Sequence, residues 1–299
     1  MNTALTLIRR EWLEHRNAYV YAPLVVLALI LISSSVTVWT NPIVDVDAEQ
    51  MDAIAGHTGE DGLRGIEVIT AIALDAAGST EAELEVKLAK VTSAIAQPFY
   101  VVFAFVAFFA LVACVHDERK DRSVLFWKSM PVSDTATIVS KFATILWVGP
   151  LATIAAIWLA QLIATATLAF YVEDGFGAQV WAASGLLSSP FKLVMGYALQ
   201  GLWVLPVAAW VLLVSSYASK APILLALGIP AALMFLERIL FGSHHLVGAV
   251  GTHLGFAALP DSNGLSFDVL TRTTFWVGII VGAAFIIGAI ALRRKLNEV

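Results

Sequence analysis

Apolar residues occur in six long runs along the chain, and shorter polar segments separate the runs. A run of about 20 apolar residues crosses the ~30 Å hydrocarbon layer of a bilayer as a helix. The pattern therefore predicts an all-α polytopic membrane protein, with one transmembrane domain over residues 1–299. The six predicted spans are 19–39, 98–115, 138–170, 193–216, 221–240 and 275–292.

The N-terminal segment, 1–18, has the pattern of an amphipathic helix. Leu5, Ile8 and Trp12 recur at helical spacing, and most of the charged side chains fall between them. This arrangement is typical of a helix that lies in the membrane interface. The alternative interpretation is a solvated cytoplasmic tail.

The segment after the first span, 41–97, is a long acidic insert that we predict to be extracytoplasmic and helical. It carries eleven Asp and Glu residues against three Lys and Arg. Leu84, Leu88, Val91 and Ile95 recur at spacings of four, three and four, which is a one-sided helical stripe. This helix can continue directly into the second span.

The last outer segment, 241–274, contains a fifteen-residue apolar run, LVGAVGTHLGFAALP. The run is too short to cross a bilayer. We therefore predict a re-entrant segment, which requires that other parts of the protein cover its exposed backbone.

Composition and charge agree with a membrane protein and indicate its orientation. Only 14% of the residues are charged, against roughly a quarter in a soluble domain. The net charge of −5 argues against a nucleic-acid partner. With the N-terminus inside, twelve of the eighteen Lys and Arg residues fall on the cytoplasmic side. The positive-inside rule thus predicts a multi-pass protein of the cell inner (plasma) membrane with both termini cytoplasmic.

Motifs for catalysis or cofactor binding are missing from the sequence. It has no G-x-x-x-x-G-K-[ST] loop, so we do not expect this chain to bind ATP or to act as an enzyme by itself. His244, His245 and His253 are the one set of possible metal ligands, and we favour polar interface residues over a metal site. The spans hold almost no charged residues, which disfavours an ion-coupled carrier.

The polar segment between spans two and three, 116–134, is the most distinctive part of the chain. Pro131 disfavours helix at the preceding residue, and Ser133 or Asp134 can cap the helix that follows. We therefore predict a short cytoplasmic helix, a sharp turn and re-entry into the membrane. Aromatic and arginine side chains together are typical of a partner contact, whereas the alternative is an ordinary solvated loop.

The run ERKDRSVLFWKSMPVSDTATIVSKF resembles the signature of the permease subunits of type-2 ABC exporters. In that family a Glu follows span two, then come a small-residue pair, a Leu-rich segment, a Pro-x-Ser turn and a Lys in the next helix. The corresponding residues here are Glu118, Ser123, Leu125, Pro131, Val132, Ser133 and Lys141. The usual Gly-Thr pair is replaced by Arg122-Ser123.

The resemblance implies a permease that forms a homodimer or a heterodimer and sits on separate cytoplasmic ATPase subunits. Those partners, not this chain, would bind ATP and Mg. The segment 116–134 would then contain the coupling helix. Its expected contacts with the ATPase subunit are Asp117, Glu118, Arg119, Asp121, Arg122, Ser123, Phe126 and Trp127. Pro131, Ser133 and Lys141 would form the turn and the re-entry.

Two functions follow from these observations. The first is an ATP-driven exporter that moves an amphipathic, lipid-like or peptide substrate outward. The alternative is a non-transporting membrane scaffold or sensor that uses its acidic outer cap to bind a ligand. The sequence does not identify the substrate.

Overall fold

The computed structural model describes residues 3–40, 81–121, 132–171 and 177–295, and these ranges are helical with no β-strand. The helices are α1 (Thr3–Thr40), α2 (Glu81–Lys120), α3 (Asp134–Ala143), α4 (Pro150–Tyr171), α5 (Gly177–Ala183), α6 (Ser189–Trp203), α7 (Leu205–Tyr217), α8 (Pro222–Phe241), α9 (His245–Leu254) and α10 (Thr273–Lys295). A π-helical segment (Thr144–Val148) joins α3 to α4, and a 3₁₀ helix (Asp268–Thr271) precedes α10. Most of the predicted acidic insert, 41–80, lies outside the described residues.

Five helical stretches are long and apolar enough to cross a bilayer, which confirms the prediction of a multi-pass membrane protein. They are Thr6–Ile32, Ala82–Lys120, Asp134–Ala169, Pro222–Phe241 and Thr273–Lys295. Helices α6 and α7 together form a sixth candidate, bent by 61° at the junction between them. Each of the six predicted spans overlaps one of these stretches.

The first helix differs from the prediction at its start. We expected an interfacial helix over 1–18 followed by a separate span, but α1 runs without a break from Thr3 to Thr40. Pro23 is the first residue of α1 that disfavours helix, and it lies beyond the predicted boundary. Leu7 and Glu11 are buried, so one face of this early part packs against the protein.

Helix α2 joins the end of the predicted insert to the second span. Leu84 and Leu88 of the predicted stripe are buried, and they pack with Leu168 of α4 and Val180 of α5. The insert therefore continues into the span as a single helix, at least from Glu81 onward.

Prolines inside the spans are accommodated by local changes in the helices. The π-helical segment precedes Pro150, and the Gly149 amide donates to the Thr144 carbonyl at 2.7 Å. Pro206 follows the bend between α6 and α7. Adjustments of this kind satisfy the backbone groups that a proline leaves without a partner.

Helix α10 approaches α7 closely because small residues lie between them. Gly282 is buried against Leu205, and a Cβ atom on Gly282 would come within 2.2 Å of the Leu205 side chain. Gly278 is packed in the same way against His253 and Pro206. Small residues allow helices to approach each other in membranes, where packing drives their association.

The segment after α8 packs along α6. The Trp203 indole donates to the Thr252 carbonyl at 2.9 Å, and the Gln200 amide donates to the Gly255 carbonyl at 2.9 Å. The Gln200 side-chain oxygen also accepts from the Ala258 amide at 3.1 Å. These bonds satisfy part of the backbone of the predicted 241–274 segment with protein partners.

Helix α8 packs against the described chain over only a small part of its surface. Ala226 is its one buried residue, and its large apolar side chains are mostly exposed. This apolar face is available to lipid or to another subunit.

We predict that Gly282→Ala destabilises the protein by about 1–3 kcal/mol, because the added methyl group overpacks the contact with Leu205. The apparent melting temperature of the purified protein in detergent measures this effect. The matched control is Gly228→Ala in α8, where nothing lies within 4 Å of the new Cβ atom. An unchanged melting temperature for Gly282→Ala would contradict the close packing of α7 and α10.

Candidate functional site

A cluster of charged side chains is buried where α2 ends and α3 begins. We call this end of the bundle the Glu118 end. The ionic cluster consists of Arg10, Glu11, Glu118, Asp134, Lys141 and Arg293. Its members come from four helices: α1, α2, α3 and α10.

Glu118 is the centre of the ionic cluster. Its Oε1 atom accepts from Arg10 Nη2 and from Lys141 Nζ, both at 3.1 Å. Its Oε2 atom accepts from Arg293 Nη1 at 3.1 Å. The side chain is only 5% exposed. One carboxylate thus binds three cations from three different helices.

Lys141 is the most deeply buried member of the ionic cluster. Its side chain is 0% exposed, and Nζ lies 2.9 Å from Glu11 Oε2 as well as 3.1 Å from Glu118. An isolated ammonium group would be very costly to bury in an apolar interior. Lys141 therefore requires both carboxylates.

Arg293 connects the two sides of the 122–131 segment. Its Nη1 atom binds Glu118 before the segment, and its Nε atom donates to Asp134 Oδ1 after the segment at 3.1 Å. The neighbouring Arg294 makes a more exposed bond, from Nη2 to Thr135 Oγ1 at 3.2 Å. The end of α10 thus contacts both edges of this segment.

The charges of the ionic cluster balance. Three cations face three carboxylates, so the cluster itself is neutral, and the more exposed Glu14 lies 3.7 Å from Arg10 at its edge. Ion pairs of this kind gain little net stability, because desolvation offsets much of the attraction. Removal of one member is different, since it leaves an uncompensated buried charge. The cluster therefore fixes the relative positions of the helices that carry it, because moving one member away from the others would leave a buried charge without its partner.

Local sequence features place these side chains. Ser133 caps α3, and its hydroxyl accepts from the Ala136 amide at 3.1 Å, which confirms the predicted cap. From that start, Ile138 and Lys141 fall on the buried face of α3. On α1, Leu7 and Glu11 are one helical turn apart and share the buried face.

The predicted contact residues separate into two groups. Glu118 lies in the interior, where it binds other parts of this chain rather than facing outward. Arg119 also has internal partners, since Nη1 donates to the Ser216 carbonyl at 2.8 Å. Asp117 and Asp121 are exposed at the end of α2. The other predicted contacts and the turn proline lie outside the described residues: Arg122, Ser123, Phe126, Trp127 and Pro131.

A hydroxyl group holds α2 to α7 beside the ionic cluster. Ser215 Oγ donates to the Val112 carbonyl at 2.7 Å and accepts from the Val115 and His116 amides. The ring of His116 also lies 3.0 Å from the Ala218 carbonyl. The end of α2 is consequently fixed to α7 as well as to the charged helices.

Sequence reasoning missed four members of the ionic cluster. Arg10 and Arg293 are two of the twelve Lys and Arg residues expected on the cytoplasmic side, and no pattern in the sequence links them, Glu11 or Asp134 to Lys141. One signal was present, because Glu11 lies on the same helical face as the apolar Leu7. A carboxylate on a buried face requires a cation, but the sequence does not say which.

The three histidines do not form one site. His253 is buried, and its Nδ1 lies 2.7 Å from the Trp203 carbonyl. His244 lies near Arg238, with 3.3 Å between its Nδ1 and Arg238 Nη1. Within the described ranges, no group of three or more His, Cys, Asp or Glu residues is placed to hold a metal ion.

Comparison with known proteins adds no further information. The chain matches no family profile, no curated protein and no solved structure.

We predict that Lys141→Met destabilises the protein by about 3–5 kcal/mol, because it leaves Glu11 and Glu118 without their shared cation. Thermal unfolding in detergent measures the loss. Lys120→Met is the matched control, since Lys120 is exposed on α2 and its removal should change stability by less than about 0.5 kcal/mol. Adding Glu11→Gln to Lys141→Met should recover part of the loss, and a simple sum of the two effects would contradict the ionic coupling.

Proposed function

We propose that this chain is the membrane-spanning permease subunit of an ATP-driven ABC exporter of the type-2 class. In this proposal it dimerises and couples to separate cytoplasmic ATPase subunits. The observation that carries the proposal is the buried contact between Glu118 and Lys141, 3.1 Å apart. Among the residues that carry the resemblance, Glu118 is the first and Lys141 the last, and most of the segment proposed to meet the ATPase lies between them.

The positions of the two chain ends support the proposed topology. Arg10 of α1 and Arg293 of α10 bind the same carboxylate, so the start of the first helix and the end of the last lie at one end of the bundle. An even number of crossings is needed to bring them there. Six spans meet this requirement when α6 and α7 count as one bent span. The cationic α10 terminus, Arg293 to Lys295, favours the cytoplasm for this end.

The ionic cluster supports a mechanical role for the 116–134 segment. A partner that moves this segment also moves the end of α2 and the start of α3. Glu118 and Asp134 then carry the movement to α1 and α10, because separating buried opposite charges is unfavourable. ATP can drive transport only if it binds one state of the ATPase more tightly than the other, and that difference must reach the membrane. A neutral, tightly bound cluster is suited to transmit it.

The 241–274 segment and helix α8 also support the proposed exporter architecture. From Thr252 to Pro260 the partners on α6 run from Trp203 to Gln200 and then to Gly196, so this part of the segment runs toward the start of α6, as the returning half of a re-entrant segment would. The exposed apolar face of α8 is consistent with a second permease subunit, and also with lipid. We propose an amphipathic, lipid-like or peptide substrate because the spans carry few charges.

If a neighbouring reading frame encodes an ATPase with a Walker motif, co-expression of the two proteins tests the proposal. We expect the two proteins to co-purify, and we expect ATP hydrolysis in nanodiscs to rise when the permease is present. If no ATPase associates with the folded protein, the exporter proposal fails and a membrane scaffold or sensor becomes the better explanation.

We predict that Arg293→Gln uncouples the complex without dissociating it. The variant breaks the contacts of α10 with Glu118 and Asp134, which lie on either side of the 122–131 segment. Stimulation of ATP hydrolysis should therefore fall about tenfold, which corresponds to a loss of about 1.4 kcal/mol of transition-state stabilisation. The matched control is Arg294→Gln on the next residue, which is more exposed and should retain stimulation. Equal stimulation by the wild type and Arg293→Gln, measured at a temperature where both proteins are folded, would contradict a coupling role for the ionic cluster.

A further inference from the structure

A polar cavity of about 450 Å³ lies at the end of the bundle opposite Glu118. Its walls are the start of α2, the turn between α5 and α6, the first two turns of α6 and the loop 260–264. Its volume falls within the range of about 300–1,000 Å³ that is usual for small-molecule sites.

One wall of the cavity is a face of α2. Glu85, Ala89, Thr92, Ala96 and Tyr100 lie at spacings of four, three, four and four, so they share one side of the helix. The three middle residues are small, which leaves space between α2 and α6. Glu85 marks the open end of this face and Tyr100 its deep end.

The floor of the cavity is fixed by hydrogen bonds. Gln161 is 5% exposed, its Nε2 donates to the Thr92 carbonyl at 3.1 Å, and its Oε1 accepts from Ser189 Oγ at 2.6 Å. The Tyr100 hydroxyl donates to the Pro260 carbonyl at 3.3 Å. These bonds join three walls to one another, so the cavity is preformed.

Both signs of charge line the cavity, and they come from different elements. Lys192 lies in the first turn of α6, near the hydroxyls of Ser188 and Ser189, where the helix dipole also favours an anion. Glu85 and Asp261 supply carboxylates from α2 and the loop. Among the ion pairs of the described residues, none includes Lys192, Glu85 or Asp261.

Asp261 is held in a defined orientation. Its Oδ1 atom accepts from the Asn263 amide at 2.7 Å, and its backbone pairs with Gly264 in both directions. Gly264 has a φ of +93°, a conformation that L side chains rarely adopt, and this allows the tight turn. The carboxylate is therefore positioned before any ligand arrives.

The chemistry of this lining matches a zwitterion with a protonated primary amine and a phosphate. Carboxylates accept from the ammonium hydrogens, while the Lys192 ammonium donates to the phosphate oxygens. A trimethylated amine would lack the hydrogens that the carboxylates need. Phosphoethanolamine combines the two required groups.

The position of the cavity favours a lipid as the source of this group. The Trp158 indole donates to the Leu186 carbonyl at 3.1 Å, next to Gly185 of the cavity wall, and Trp158 and Trp181 are both partly exposed. Exposed tryptophans of membrane proteins concentrate at the level of the lipid headgroups. We propose that the cavity binds the headgroup of phosphatidylethanolamine from the adjacent leaflet. The proposal does not depend on the exporter function.

Native mass spectrometry of the purified full chain tests this site. The protein in detergent receives an equimolar mixture of phosphatidylethanolamine, phosphatidylcholine and phosphatidylglycerol, and the bound lipids are counted. We expect phosphatidylethanolamine to be retained preferentially. Asp261→Asn should lower its retention about tenfold and leave phosphatidylglycerol unchanged, whereas Lys192→Gln should lower the retention of all three lipids.

Two charge variants outside the cavity, one variant that fills the cavity, and two soluble competitors complete the test. Lys90→Gln and Asp268→Asn change exposed charges outside the cavity and should retain wild-type binding. Ala89→Phe fills the cavity without a change of charge and should abolish the preference, with folding verified by thermal unfolding. Equal retention by wild type, Lys192→Gln and Ala89→Phe would overturn the proposal. Displacement by soluble phosphoethanolamine at the same affinity, or by a short peptide, would overturn the assignment to a lipid.

Discussion

The arrangement of the bundle depends on the burial of Glu118 among three cations. A charge in an apolar interior is unfavourable unless opposite charges accompany it, so the helices that carry these charges must assemble together. Arg293 is 175 positions from Glu118 along the chain, and Arg10 is 108 positions away. This single carboxylate thus brings the beginning, the middle and the end of the sequence to one place.

The two ends of the bundle are held by different forces. Buried ion pairs and the Ser215 hydroxyl hold the Glu118 end, whereas neutral hydrogen bonds of Gln161 and Tyr100 hold the other end. Neutral hydrogen bonds weaken little with salt, and buried ion pairs are screened much less than exposed ones. Neither end of the bundle should therefore loosen when the salt concentration of the surrounding solution changes.

Much of the architecture could be predicted because bilayer thickness fixes the length of an apolar run. Five of the predicted spans and the Ser133 cap follow from such local rules and are present in the structure, and the remaining span corresponds to the bent pair α6 and α7. The partners of Lys141 could not be predicted in the same way. Helical periodicity identifies the face of α1 that carries Glu11, but it does not say which other helix that face meets. The continuity of α1 across residue 18 could not be predicted from periodicity either, because no local signal ends the helix there and packing against α3 favours its continuation.

The bend between α6 and α7 divides the fourth span into two parts with different neighbours. The α6 half packs with the 255–264 loop and with the floor of the polar cavity, and the α7 half packs with α2 and α10. Trp203 lies at the junction, is fully buried, and stacks on Phe275 while Arg272 lies 5.7 Å above its ring. Trp203 thus lies where a hinge between α6 and α7 would be placed. Because α6 forms one wall of the polar cavity and α2 another, the angle between α6 and α7 bears directly on the width of that cavity.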